Sequence, residues 1–184
     1  MMRRRKFILA AGAAAAGGGA GCGRSPNPWR FLTDSEAKTL EAITEQIIPA
    51  DRDPGARWAG VVRYIDRQLV RRFHEHQDLY RRGLAAVEQD SRILHSRAFA
   101  DLSGPHQAEL LGLLEKGQAP GEGWKVLSSS QFFSTVISHT MQGFYGDPRH
   151  GGSRDGVGRK LLGIAHPPLR GRQLYGFRVP GERV

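Results

Sequence analysis

Apolar residues recur at helical spacing through most of the chain, and the signals between them mark where each helix starts and stops. Thr33-Asp34-Ser35-Glu36 reads as a capping box, a hydroxyl three positions before a carboxylate. Ala37, Leu40, Ile43, Ile47 and Ile48 follow on one face, and Pro49 ends that helix because it lacks an N–H and restricts its predecessor. Asp51-Arg52-Asp53-Pro54-Gly55 is a polar turn. The spacing predicts a second helix from Arg57 to Phe73, with Val61, Val62, Ile65, Leu69 and Phe73 inside and Arg63, Asp66, Arg67, Arg71 and Arg72 on the opposite face. A third helix runs from Asp78 to Ile93 on Tyr80, Leu84 and Val87. Ser103-Gly104-Pro105 starts a fourth, which carries Ala108, Leu111 and Leu114 and ends near Gly117. After a Pro/Gly loop at 118–123, a fifth begins near Ser129 with Phe132, Phe133, Val136, Ile137 and Met141; the phenylalanine pair is read as core.

The texture changes at Gly143. Six glycines lie between Gly143 and Gly158, and this composition suits an ordered or a disordered loop equally. A short element near Lys160-Leu161-Leu162 precedes an extended tail with Pro167, Pro168, Arg170 and Arg172. No run alternates with period two, and no repeat or long heptad is present. The expected fold is mainly α: a single domain of about five helices with a Gly-rich C-terminal loop region. Its expected organisation is a signal segment at 1–22, a tether at 23–30, the helical domain at 31–163 and the tail at 164–184.

The N-terminus is read as an address rather than as fold. Arg3, Arg4, Arg5 and Lys6 precede Phe7-Ile8-Leu9 and a run of Ala and Gly up to Cys22. Arg4, Arg5 and Phe7 fit the twin-arginine export signal. The 15 residues from Phe7 to Gly21 fall short of the roughly 20 that cross a bilayer. Cys22 is the one cysteine, so no disulfide can form within the chain. It stands where a lipoprotein signal places its lipidated cysteine, but Gly19 replaces the usual Leu; lipidation of Cys22, loss with the leader and a free thiol all stay open. Formal charge is +9, and the four basic residues at 3–6 leave +5 for the remainder. That balance is ordinary and points to no nucleic-acid partner.

Three stretches carry a family resemblance. They are Phe31-Leu32-Thr33 through Glu36 to Ile47-Ile48-Pro49-Ala50-Asp51, then Gly60-Val61-Val62-Arg63-Tyr64-Ile65-Asp66, then Gly143-Phe144-Tyr145-Gly146-Asp147-Pro148-Arg149 with Gly151-Gly152. With the leader, they resemble the gluconate 2-dehydrogenase subunit 3 family from about Phe31 to Gly163. The resemblance implies a small non-catalytic subunit of a periplasmic or membrane-bound sugar or sugar-acid dehydrogenase. Its large partner would be a flavoprotein of the glucose-methanol-choline type holding FAD, and a cytochrome c subunit would take the electrons onward. The twin-arginine translocase would export the folded pair on this chain's signal, making the chain an export and maturation escort. Ser153 stands where the family usually has Asn, and Arg159 near its usual Trp. The substrate in the family name therefore does not carry over.

The residues themselves offer no cofactor motif. There is no Gly-x-Gly-x-x-Gly between strand and helix, no Cys-x-x-Cys-His and no Gly-x-Ser-x-Gly elbow. The rival reading is an independent periplasmic metal enzyme using His74, His76, His139, Asp147 and His150, and a weaker one is a lipid-anchored binding protein. The Gly-rich loop allows three roles: an anion cradle with Arg149 and Arg154, a closely packed loop, or an interface with Phe144 and Tyr145 as anchors and Asp147, Arg149 and Arg154 around them. The arginine face of the second helix is either solvated or docks on an acidic patch.

Overall fold

A computed structural model describes residues 28–164. Arg4, Arg5, Phe7 and Cys22, most of the tether and nearly all of the tail lie outside the described residues. Among the described residues there are seven α-helices and no strand: α1 (Asp34–Ile47), α2 (Ala56–Ala59), α3 (Val61–Leu69), α4 (Gln77–His95), α5 (Gly104–Glu115), α6 (Ser129–Tyr145) and α7 (Val157–Leu161). The mainly α single domain is as expected. None of the described helices is long and apolar enough to cross a membrane.

α1 is the central post, in contact with α2, α3, α4, α5 and α6. Its start is fixed by the capping box: Thr33 Oγ1 accepts from the Glu36 N–H at 3.2 Å, and Glu36 Oε2 accepts from the Thr33 N–H at 2.8 Å. Arg81 from α4 closes this corner. Its guanidinium donates to Glu36 and, at 2.6 Å, to the Phe31 carbonyl, and it lies 4.1 Å from the Phe31 ring centre. Leu40 and Ile43 of α1 pack into one core with Ile65, Leu69, Tyr80, Leu84, Leu110, Leu114, Phe132 and Phe144, all of them buried.

Three boundaries differ from the sequence reading. The helix expected over Arg57 to Phe73 is two helices, broken at Gly60, whose φ of 75° is left-handed. Its second half stops at Leu69, and a 3-10 turn over His74–His76 leads into α4. α6, whose residues the sequence reading names only as far as Met141, continues past Gly143 to Tyr145. This keeps Val136, Thr140 and Phe144 on one buried stripe at four-residue spacing. α4 and α6 meet closely at Gly83, where a Cβ would stand 2.2 Å from the Phe132 ring.

Candidate functional site

The segment after α6 is folded tightly against the helices. Asp147 caps the turn Pro148–His150: its Oδ1 accepts the Arg149 N–H at 3.0 Å. The Arg149 side chain returns to the same carboxylate, Nε to Oδ1 at 3.1 Å and Nη2 to Oδ2 at 2.9 Å. These side-chain and backbone hydrogen bonds from Arg149 hold the Asp147 carboxyl well below the usual carboxylate range. Beyond the turn, Gly152 is buried, and a Cβ there would lie 2.3 Å from the Gly143 carbonyl oxygen. The close packing accounts for that glycine, as one of the three readings of the loop required. Ser153 follows with φ of 47°, fully buried, its hydroxyl without a partner among the described residues.

The loop's proposed contact residues separate in this geometry. Phe144 is fully buried and offers no surface to a partner, which corrects its reading as an anchor. The cause is the two extra residues of α6 that turn its ring inward, edge-to-face with Tyr145 at 5.0 Å. Tyr145 and Asp147 are half-buried, while Arg149 and Arg154 are exposed. Arg154 lies 5.4 Å from the ring centre of Trp58, a 40 % exposed side chain of α2. An exposed Trp under an Arg is a pairing of the residue types that dominate binding hot spots.

A second feature adjoins the loop. Asp66 of α3 is buried at 3 % exposure instead of facing solvent with its arginine neighbours. Its Oδ2 accepts the Arg30 N–H at 2.8 Å, and its Oδ1 accepts the N–H groups of Phe31 at 2.9 Å and Leu32 at 3.0 Å. The end of the expected tether is therefore pinned to the domain. Pro28, Trp29, Arg30, Arg63, Asp66 and Arg67 surround a recess of about 320 Å³. Gly151 stands over one side of it: a Cβ there would lie 2.7 Å from Arg67 Nη1. The recess, the glycine loop and the Trp58–Arg154 pair thus form one contiguous face, since Gly60 beside α2 also touches the Gly151 carbonyl side.

The histidines cluster only in part. His139 of α6 is buried, stacks on Phe73 with ring centres 3.8 Å apart, and shares a 3.0 Å hydrogen bond through Nδ1 with the Tyr80 hydroxyl. His76 stands 5.2 Å away, ring centre to ring centre. Burial, and secondarily His76, pushes the His139 pKa down to about 4, so the ring is neutral near pH 7. Burial pushes the Tyr80 hydroxyl up, and it stays a phenol. His74 and His150 are exposed, and Asp147 is engaged by Arg149. Among the described residues, no group of three or more His, Cys, Asp or Glu is arranged to hold a metal ion.

A family model described as gluconate 2-dehydrogenase subunit 3 matches residues 34–162. The chain belongs to the gluconate 2-dehydrogenase subunit 3 family. No curated protein and no solved structure gives a match. The subunit 3 match opens on the first residue of α1 and closes just after α7, so it spans every described helix. The family name is that of a subunit of a multi-subunit dehydrogenase, which makes surface contact the chemistry to look for. Two contributors to such a face escaped the sequence reading. Trp58 carried no periodic signal, and Asp66 sat in a run of arginines that resembled a solvated face.

Proposed function

We propose that this chain is the non-catalytic small subunit of a periplasmic or membrane-associated, FAD-dependent sugar or sugar-acid dehydrogenase. It acts in twin-arginine export, maturation and assembly of a large flavoprotein of the glucose-methanol-choline type. FAD and the oxidation belong to that partner, and a cytochrome c subunit is the electron acceptor in this scheme. Family membership across all the described helices is the observation that carries the reading. The three groups with the largest shifts in acidity support it, because they serve the fold itself. His139 and Tyr80 bond each other in the core, and Asp147 caps a turn. The contiguous arginine, glycine-loop and Trp58 face supplies what a subunit requires, a surface with aromatic and guanidinium groups. The signal at Arg4, Arg5 and Phe7 would serve both chains, and a lipid on Cys22 would add one weak membrane contact.

The test is to produce the chain alone and together with the flavoprotein of the adjoining reading frame. The pair is expected to co-purify, with flavin absorbance and sugar or sugar-acid oxidation in the complex and neither in the small chain alone. Turnover by the small chain on its own would overturn the reading.

A further inference from the structure

The recess between the N-terminal segment and α3 concentrates more positive charge than the fold neutralises there. Arg30, Arg63 and Arg67 line it, and the single acid at its floor is Asp66. Both Asp66 oxygens accept backbone N–H groups of residues 30–32, and no ion pair within 4.0 Å joins Asp66 to a guanidinium group among the described residues. Five Arg or Lys ion pairs form among the described residues, and none includes Arg30, Arg63 or Arg67. Arg63 and Arg67 are four apart on α3 and so project side by side. The contact with Gly151 limits where the Arg67 head can go, which reduces the ordering cost of using it.

Three cations around one anion leave the recess with a net excess of positive charge, and the form of the groups selects the ligand. Guanidinium forks match a planar carboxylate with two parallel hydrogen bonds. A phosphate dianion would meet more repulsion from Asp66 at the floor than a carboxylate monoanion would. The site is also concave, so a projecting side chain reaches its floor and a flat bilayer surface does not. We propose that this recess seats an Asp or Glu side chain, or a short acidic segment, projecting from the surface of the catalytic subunit. The proposal rests on the subunit reading above and adds to it the place and the chemistry of docking. Because Pro28 lines the recess, the partner would sit against the point where residues 1–27 join the domain.

The experiment is co-purification of the full chain with the co-expressed flavoprotein of the adjoining reading frame. It compares the wild type with Arg63→Glu/Arg67→Glu, with the milder Arg63→Gln/Arg67→Gln, and with Arg92→Glu/Arg97→Glu as a charge-matched control elsewhere on the surface. Circular dichroism melting of each variant reports folding. The expected result is at least tenfold weaker association for the Glu pair, a smaller loss for the Gln pair, and a change within twofold for the control. Wild-type association should also weaken with added salt. A folded Gln or Glu pair that binds like the wild type would overturn the proposal. So would unchanged flavoprotein binding combined with lost binding to phosphatidylglycerol vesicles, which would reassign the recess to lipid. A wild-type chain that fails to associate at all would instead remove the subunit reading, and this docking site with it.

Discussion

Asp66 illustrates how one side chain can join distant parts of the sequence. Its carboxylate accepts three backbone N–H groups of a strandless segment, of which the Leu32 N–H would otherwise be buried unpaired. Asp66→Ala leaves those donors without an acceptor, and hydrogen bonds to a charged group are worth roughly 1.5–3 kcal/mol each, so a total loss of about 3 kcal/mol is expected after water enters. A urea unfolding curve measures it, and a loss under 1 kcal/mol would contradict the assigned role. His139 makes a second residue-scale prediction. Its pKa in the fold is about 4, below the ordinary histidine value near 6.5, so the unfolded chain binds the extra proton first. The stabilisation is complete above pH 6.5 and is lost as pH falls toward 4, by about 3 kcal/mol at most. His139→Gln, which can still bond the Tyr80 hydroxyl, should flatten the dependence of the urea midpoint between pH 7 and 5. An equally steep dependence in that variant would assign it to other groups.

At the scale of elements, α4 and α6 are held by a close approach rather than by bulk. Gly83→Ala would place a methyl group 2.2 Å from the Phe132 ring, an overlap that forces the helices apart. The better helix propensity of Ala returns up to about 1 kcal/mol, while an overlap this severe costs about 3 kcal/mol, the upper end of overpacking, so a net loss of roughly 2 kcal/mol is expected. A thermal melt at or above the wild-type midpoint would refute this packing. The same elements show what periodicity can and cannot reveal. α1 follows from its capping box and apolar spacing, and α4, α5 and the start of α6 chiefly from apolar spacing, because those signals are local. The break at Gly60 was not legible, since a glycine within an apolar helical pattern is tolerated as often as it interrupts. The inward position of Phe144 was legible in principle. It continues the four-residue series from Phe132, Val136 and Thr140, and only the change to a Gly-rich composition at Gly143 hid it.

At the scale of the whole molecule, the docking face is a tertiary product. Arg30 and Arg63 are separated in sequence, and the Asp66 anchor brings the N-terminal segment onto α3. Nothing local to either stretch indicates that they share a recess. The glycine loop was visible as a composition, but its role as a wall beside Arg67 depends on how closely it packs on α6 and α3. The family was legible because its motifs are short blocks in a fixed order, and the match over residues 34–162 agrees with them. The folded domain therefore supplies a surface, and the proposed leader supplies a route for whatever binds it. These two halves of the account meet in one measurement: the flavoprotein of the adjoining reading frame, co-expressed with this chain carrying Arg4→Lys and Arg5→Lys, assayed in the periplasmic fraction. The account predicts that periplasmic flavoprotein falls at least tenfold relative to the wild-type chain while the cytoplasmic amount is maintained. Flavoprotein reaching the periplasm at the wild-type level would contradict it.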